Sequence, residues 1–131
     1  MKIIHITNLI LIVLFLAGIC IIEDVMVSNA LKDVQEKCYT IERMIEEKDS
    51  LKDMEMVMEV ENLEYNWTED EKILCFMVNH KSMQEIGQEI AKLKMYIESD
   101  DADGAKVSTQ SIKMYCHSYL HFMGANLHNI L

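Results

Sequence analysis

"VSNALKDVQEKCYTIERMI", residues 27–45, carries Val27, Leu31, Val34, Cys38, Ile41 and Ile45 at spacings of four, three, four, three and four. An α-helix completes a turn every 3.6 residues, so this rhythm gathers the six into one apolar stripe, a heptad seam. Lys, Asp, Glu and Arg occupy much of the space between them and want water. The stretch therefore predicts a helix that needs partners along its whole length. Those partners are further helices of the same chain, a second copy, or a helical protein lying along the seam.

Upstream of the seam lies "IIHITNLILIVLFLAGICII", residues 3–22, with no acidic or basic residue other than His5. Twenty residues at 1.5 Å each match a hydrocarbon core of roughly 30 Å. His5, Thr7 and Asn8 dilute its start, so the uninterrupted apolar part is Leu9–Ile22. The segment reads as an anchor in the lipid bilayer, or as the core of a cleavable signal peptide. Ser28 and Ala30 offer small residues for cleavage before Leu31, although Glu23 and Asp24 make the spacing long. "LAGIC" (16–20) is similar to a lipoprotein signal, but Ile19 takes the place of the small residue before Cys20. An uncleaved anchor over 1–22 is the expected arrangement, with 23–131 as one extracytoplasmic domain on a single-pass chain. The short tail before the anchor and the long domain after it set that orientation.

All 22 acidic residues follow Ile22 and only Lys2 precedes it among the 12 basic ones, so the domain is one unit more negative than the chain's −10. Such a surface repels phosphate backbones, which excludes nucleic acid as a partner. Anionic headgroups are repelled as well. The chain contains no proline and four glycines. Without proline's breaks, and with Glu, Lys, Met and Leu abundant, the fold class is all-α. The expectation is an anchor helix extended into a small antiparallel bundle of three to four helices.

The punctuation supports that count. "EEKDS" (46–50) ends the first helix, and Ser50 with Asp53 marks a second start. From Leu51 the second helix presents Leu51, Met54, Met58 and Leu63 inward. It continues through Trp67 toward Leu74 and Val78, although Thr68 and Glu71 offer a capping box for a break. "NHKS" (79–82) is a turn, with Ser82 and Glu85 as the next capping box. Ile86, Ile90, Leu93 and Ile97 then form a clean stripe. "SDDADG" (99–104) is a capping turn; read as a calcium loop it puts Gln110 where a bidentate carboxylate is required. The last helix aligns Ala105, Ile112, Tyr115, Tyr119 and Phe122. Gly124 and Asn126 close it, leaving "LHNIL" to dock back on the bundle.

Reactive residues are scattered. On a helical wheel Trp67, Glu71 and Cys75 share an arc of about 80° and His80 points away. Packing is thus the expected role of this group, and nothing in sequence sets a base against the Cys75 thiol. Cys38, Cys75 and Cys116 fall one per helix without a C-x-x-C pair, which excludes a zinc knuckle or thioredoxin-like motif. His117 and His121 stand at i and i+4 and share a helix face. They are the one metal-binding alternative, lacking the glutamate of a zinc-protease motif because Ser118 follows His117. "NWT" (66–68) matches a glycosylation sequon but falls inside a helix. No catalytic, cofactor or metal residue is assigned, and binding by a structural module is expected in place of enzymatic work.

The order of features carries a resemblance. After the anchor and the Glu-rich helix come Trp67 and Glu71 as W-x3-E, then Phe76 and His80 as F-x3-H. The run Ile86, Ile90, Leu93, Tyr96 and Ile97 follows, then an acidic turn with Ala105 and a terminal Asn129–Leu131. Across nearly its whole length the chain resembles the domain-of-unknown-function family numbered 4363, small membrane-anchored helical proteins of Gram-positive bacteria. The resemblance implies an N-terminal anchor and a helical bundle. It implies no activity and no catalytic residue, and His117 and His121 stand outside its pattern.

Overall fold

The computed structural model describes the backbone of residues 2–128, with side chains described for 4–123. Four helices follow one another: α1 (Lys2–Glu47), α2 (Met54–Leu74), α3 (His80–Glu98) and α4 (Ala102–His128). No strand occurs among the described residues. At 46 residues α1 is about 70 Å long, and it is two things in one rod. Its first half stands free, with Leu9–Ile22 exposed nearly throughout. Its second half is the spine of the bundle.

The second half packs because the seam is real. Val27, Leu31, Val34, Cys38, Ile41 and Ile45 are all buried, and α1 lies against α2 on one side and α4 on the other. The partners that the seam asks for are therefore helices of its own chain. A second copy or another helix would have to displace them to use the same stripe. α3 completes a ring of four by packing against α2 and α4. Lys94 pairs with Glu64 at 2.6 Å, and Cys75 touches His80, so α2 and α3 run antiparallel. Gln35 Nε2 donates to the Lys113 carbonyl at 3.3 Å while Glu42 pairs with Lys113 and lies beside Thr109, so α1 and α4 are antiparallel too.

α2 corrects the expected phase. Its inward residues are Met56, Val60, Leu63, Trp67 and Leu74, while Met54 and Met58 face water. Three methionines two apart give both faces a candidate, and the bulk of Trp67 decides the rotation. Leu51 is buried, but in the connection before α2; the cap is Asp53, whose side chain accepts from the Glu55 N–H, instead of Ser50. The helix continues through Thr68, whose hydroxyl donates to the Glu64 carbonyl at 2.8 Å, so no break occurs there. It ends at Leu74.

α3 starts three residues earlier than Ser82 predicts, because Asn79 caps it, its side chain accepting from the Lys81 N–H. Its stripe is as expected, with Met83 added. α4 differs in its inner face. Ala105 and Ile112 are buried and Tyr115 and Tyr119 pack partly, but Ser108, Thr109 and Cys116 fill the remaining core positions and Phe122 is turned outward. The helix also passes Gly124 and Asn126 and reaches His128. Residues 129–131, the end of the tail expected to dock, lie outside the described residues.

The end of the bundle away from the free half of α1 is closed by one residue. Asp100 has φ 60°, the left-handed position at a helix C-terminus that glycine usually fills. The Asp101 N–H donates to the Tyr96 carbonyl at 2.9 Å and the Asp100 N–H to Ile97 at 3.1 Å, the two bonds of a Schellman cap. Aspartate replaces glycine with a purpose: its carboxylate accepts from the Leu51 N–H at 2.6 Å and reaches Ser50. The α3–α4 turn is thereby tied to the α1–α2 connection. Asp101 caps α4 by accepting from the Gly104 N–H at 2.9 Å, so this turn's carboxylates serve backbone, as a capping turn should.

Candidate functional site

Trp67 comes from the middle of α2 and points at α3, with 2 % of its surface exposed. Its Nε1 is buried without a hydrogen-bond partner. A donor left in that state costs about 1–3 kcal/mol, so its surroundings matter. Opposite it stands Gly87 of α3. A Cβ there would lie 3.1 Å from the indole nitrogen and 3.6 Å from Glu71 Oε2. Glycine thus leaves an opening on which the indole edge and a carboxylate converge. The opening is part of a groove of about 370 Å³ between α2 and α3, lined also by Glu64, Thr68, Gln84 and Gln88. Lys94 already holds Glu64, whereas Glu71 makes no ion pair among the described residues. Chemically the groove is walled by the Glu71 carboxylate, which accepts, and by the Gln84 and Gln88 carboxamides, which donate and accept, a set that suits a group with an acceptor oxygen and an adjacent N–H or O–H.

Cys75 and His80 do not join this groove. They meet at the α2–α3 turn, where His80 Nδ1 lies 2.9 Å from Cys75 Sγ and Nε2 lies 3.3 Å from Gln84 Nε2. A base does therefore stand against the thiol, contrary to expectation. The helical wheel fails here because residues 75–79 reverse the chain, so angular spacing along one rod no longer applies. The pair is not poised for nucleophilic work. Desolvation, and then the charge of Glu71, raise the Cys75 thiol above its usual range, which holds the proton on sulfur at neutral pH.

Cys38 and Cys116 face one another inside the α1–α4 interface. Both thiols are pushed up to about 12, chiefly by burial. They act as small apolar filling. Beside them Lys113 reaches out to pair with Glu42 and to cover the Tyr39 ring at 4.3 Å, a polar clasp at the rim of the core. His117 and His121 share an exposed face of α4, as their spacing predicts, with ring centroids 6.4 Å apart and planes 13° from parallel. No group of three metal-ligating side chains occurs among the described residues, and the side chain of His128 lies outside them.

The family model described as Domain of unknown function (DUF4363) matches residues 22–130. The chain belongs to that family. The matched span opens where the apolar run closes, so the DUF4363 unit includes the first turns of α1 that enter the bundle. No curated protein and no solved structure gives a significant match. Membership brings no substrate or residue role, and the Trp67–Gly87 groove stands on its geometry alone. Sequence reasoning placed Trp67 and Glu71 on one face but missed Gly87. A glycine inside the clean apolar stripe of α3 was the available signal, since it costs a helix about 1 kcal/mol relative to alanine.

Proposed function

We propose that this DUF4363 protein is a single-pass, membrane-tethered module, its acidic bundle standing outside the cytoplasmic membrane and working by binding instead of catalysis. The division of α1 carries the tether. Its apolar window of 18 residues has a mean hydropathy of 2.7 and is 6 % buried, while the same helix continues without interruption into the core. By length and composition α1 is able to cross a bilayer, a property shared by membrane anchors and signal sequences. Two facts favour the anchor over cleavage after Ala30. A cut there would remove Val27 from the core and place a charged amino group on the fully buried Leu31. It would also take away the first residues of the family's matched span.

The α2–α3 groove is the place for binding, because the Glu71 carboxylate and the Gln84 and Gln88 carboxamides border a cleft that the chain does not fill. A peptide carbonyl or a hydroxyl of a partner fits that chemistry. The two halves of this reading are tested together in native membranes. The protein is expected to stay in the pellet after alkaline washing with its N-terminal segment intact by mass spectrometry. Release as a soluble chain beginning at Leu31 would overturn the tether. A photo-crosslinking residue at Gln88, on the groove wall, should give a discrete adduct; its absence would remove the groove as a binding place.

A further inference from the structure

The chain has three phenylalanines, and none of them is in the core. Phe15 lies in the apolar run, 70 % exposed. Phe76, in the α2–α3 turn, is 92 % exposed, and Phe122, near the end of α4, is 66 % exposed. The bundle leaves several large apolar side chains in water, Met54, Met58, Ile73, Met95 and Met114 among them, but Phe76 is the most open of all and no phenylalanine is used for packing. Large apolar side chains left in water cost free energy, so their position on the molecule is informative.

Phe76 and Phe122 stand at the same end, the one that the free half of α1 enters. Asp70 feels the charge of Asp33 across the α1–α2 contact, and Phe76 lies six residues beyond Asp70 on an antiparallel path. That sets it level with Val27, about 7 Å along α1 from Ile22. Leu120 and Met123 of α4 share a cleft with Asp24, Val25 and Ser28 of α1, which puts Phe122 at the same height. Phe122 also lines a cleft with Asn79 and Ser82, next to the turn that bears Phe76. α4 then continues to His128, about 9 Å nearer the apolar run. A headgroup layer is about 5–7 Å thick on each side, and interfacial elements sink roughly 5–10 Å into the headgroup–acyl boundary. The two rings fall within that depth if Ile22 marks the edge of the hydrocarbon.

We propose that Phe76 and Phe122 are interfacial feet by which the base of the bundle rests on the lipid surface, holding α1 at a fixed angle and height. This deepens the tether reading and rests on it. The lipid surface is the occupant because the apolar run of α1 leads directly into this end, so no separate partner has to find the patch. Insertion of aromatic rings also suits a domain whose net negative charge forbids electrostatic attraction to anionic lipid.

The test uses the full chain in phosphatidylcholine vesicles, with Cys20→Ser and Cys75→Ser, and with Cys38 and Cys116 left sequestered in the core. Nitroxide labels are placed singly through Phe76→Cys, Phe122→Cys, Ile12→Cys and Met54→Cys. Access to a water-soluble nickel chelate is then compared. Positions 76 and 122 are expected to be several-fold less accessible than 54, and 12 the least accessible. Positions 76 and 122 as open as 54, with 12 protected, would overturn the feet and leave the tether standing. Exposure at 12 as well would bring down the tether and the feet with it. A further label through Met77→Cys, with both phenylalanines native, should gain chelate access in the Phe76→Ser, Phe122→Ser double variant. No gain there would mean that the rings do not hold the base down.

Discussion

Asp70 shows how a single side chain on a crowded acidic surface carries a measurable penalty. Desolvation against α1, and then the charge of Asp33, raise its carboxyl above the usual carboxylate range. A group whose pKa is higher folded than unfolded favours the fold when protonated. That contribution is complete below the unfolded value of about 3.9 and is lost as pH rises through the folded one. At neutral pH the ionised group therefore opposes folding. Asp70→Asn should stabilise the bundle at pH 7 by roughly 0.5 kcal/mol or less, the scale of half-exposed changes. The gain should shrink toward zero as pH is lowered to about 3. Denaturant melts of both proteins across that range check it, and a gain that grows in acid would refute the account. Asp100 is the opposite case, a carboxylate placed where its strain at φ 60° is compensated by the Leu51 N–H.

The helices differ in how openly their sequences declare them, and the difference is physical. α3 has one apolar stripe and polar residues elsewhere, so only one rotation buries it. The seam of α1 is equally strict. α2 is not, because Met54, Met56 and Met58 alternate and each phase finds an apolar residue. What fixes the phase is the contact of Trp67 with α3, a long-range fact that local spacing does not contain. In α4 the aromatic run Tyr115, Tyr119 and Phe122 outweighs Ser108, Thr109 and Cys116 on any apolar count, yet the small residues are the ones that fit between close helices. Site geometry was legible only within single helices: His117 beside His121 follows from spacing, whereas Cys75 on His80 and Trp67 on Gly87 depend on a turn and a helix pairing. The α2 phase is open to a direct comparison. Met56→Ala should cost about 2–5 kcal/mol and Met58→Ala no more than about 0.5 kcal/mol. Equal losses in urea melts would mean that α2 is rotated from the arrangement described.

For the whole molecule the decisive feature is that one rod serves two environments, so the boundary between them can be found by shortening it. Residues 4–21 make almost no contact with the bundle, whereas Val27 is sealed in its core. Removing 1–22 should therefore leave a soluble 23–131 bundle that melts cooperatively. Removing 1–30 takes the Val27 side chain and the turn that shields Leu31, and sets a new ammonium on a side chain with no exposure. Loss of one such apolar side chain and burial beside a charge together amount to about 2 kcal/mol or more. The 31–131 fragment should thus melt well below 23–131 under identical conditions, by calorimetry or by loss of helical dichroism. Equal melting temperatures would show that the first turns of the spine are dispensable, and a chain beginning at Leu31 would again be a sound candidate for the working form.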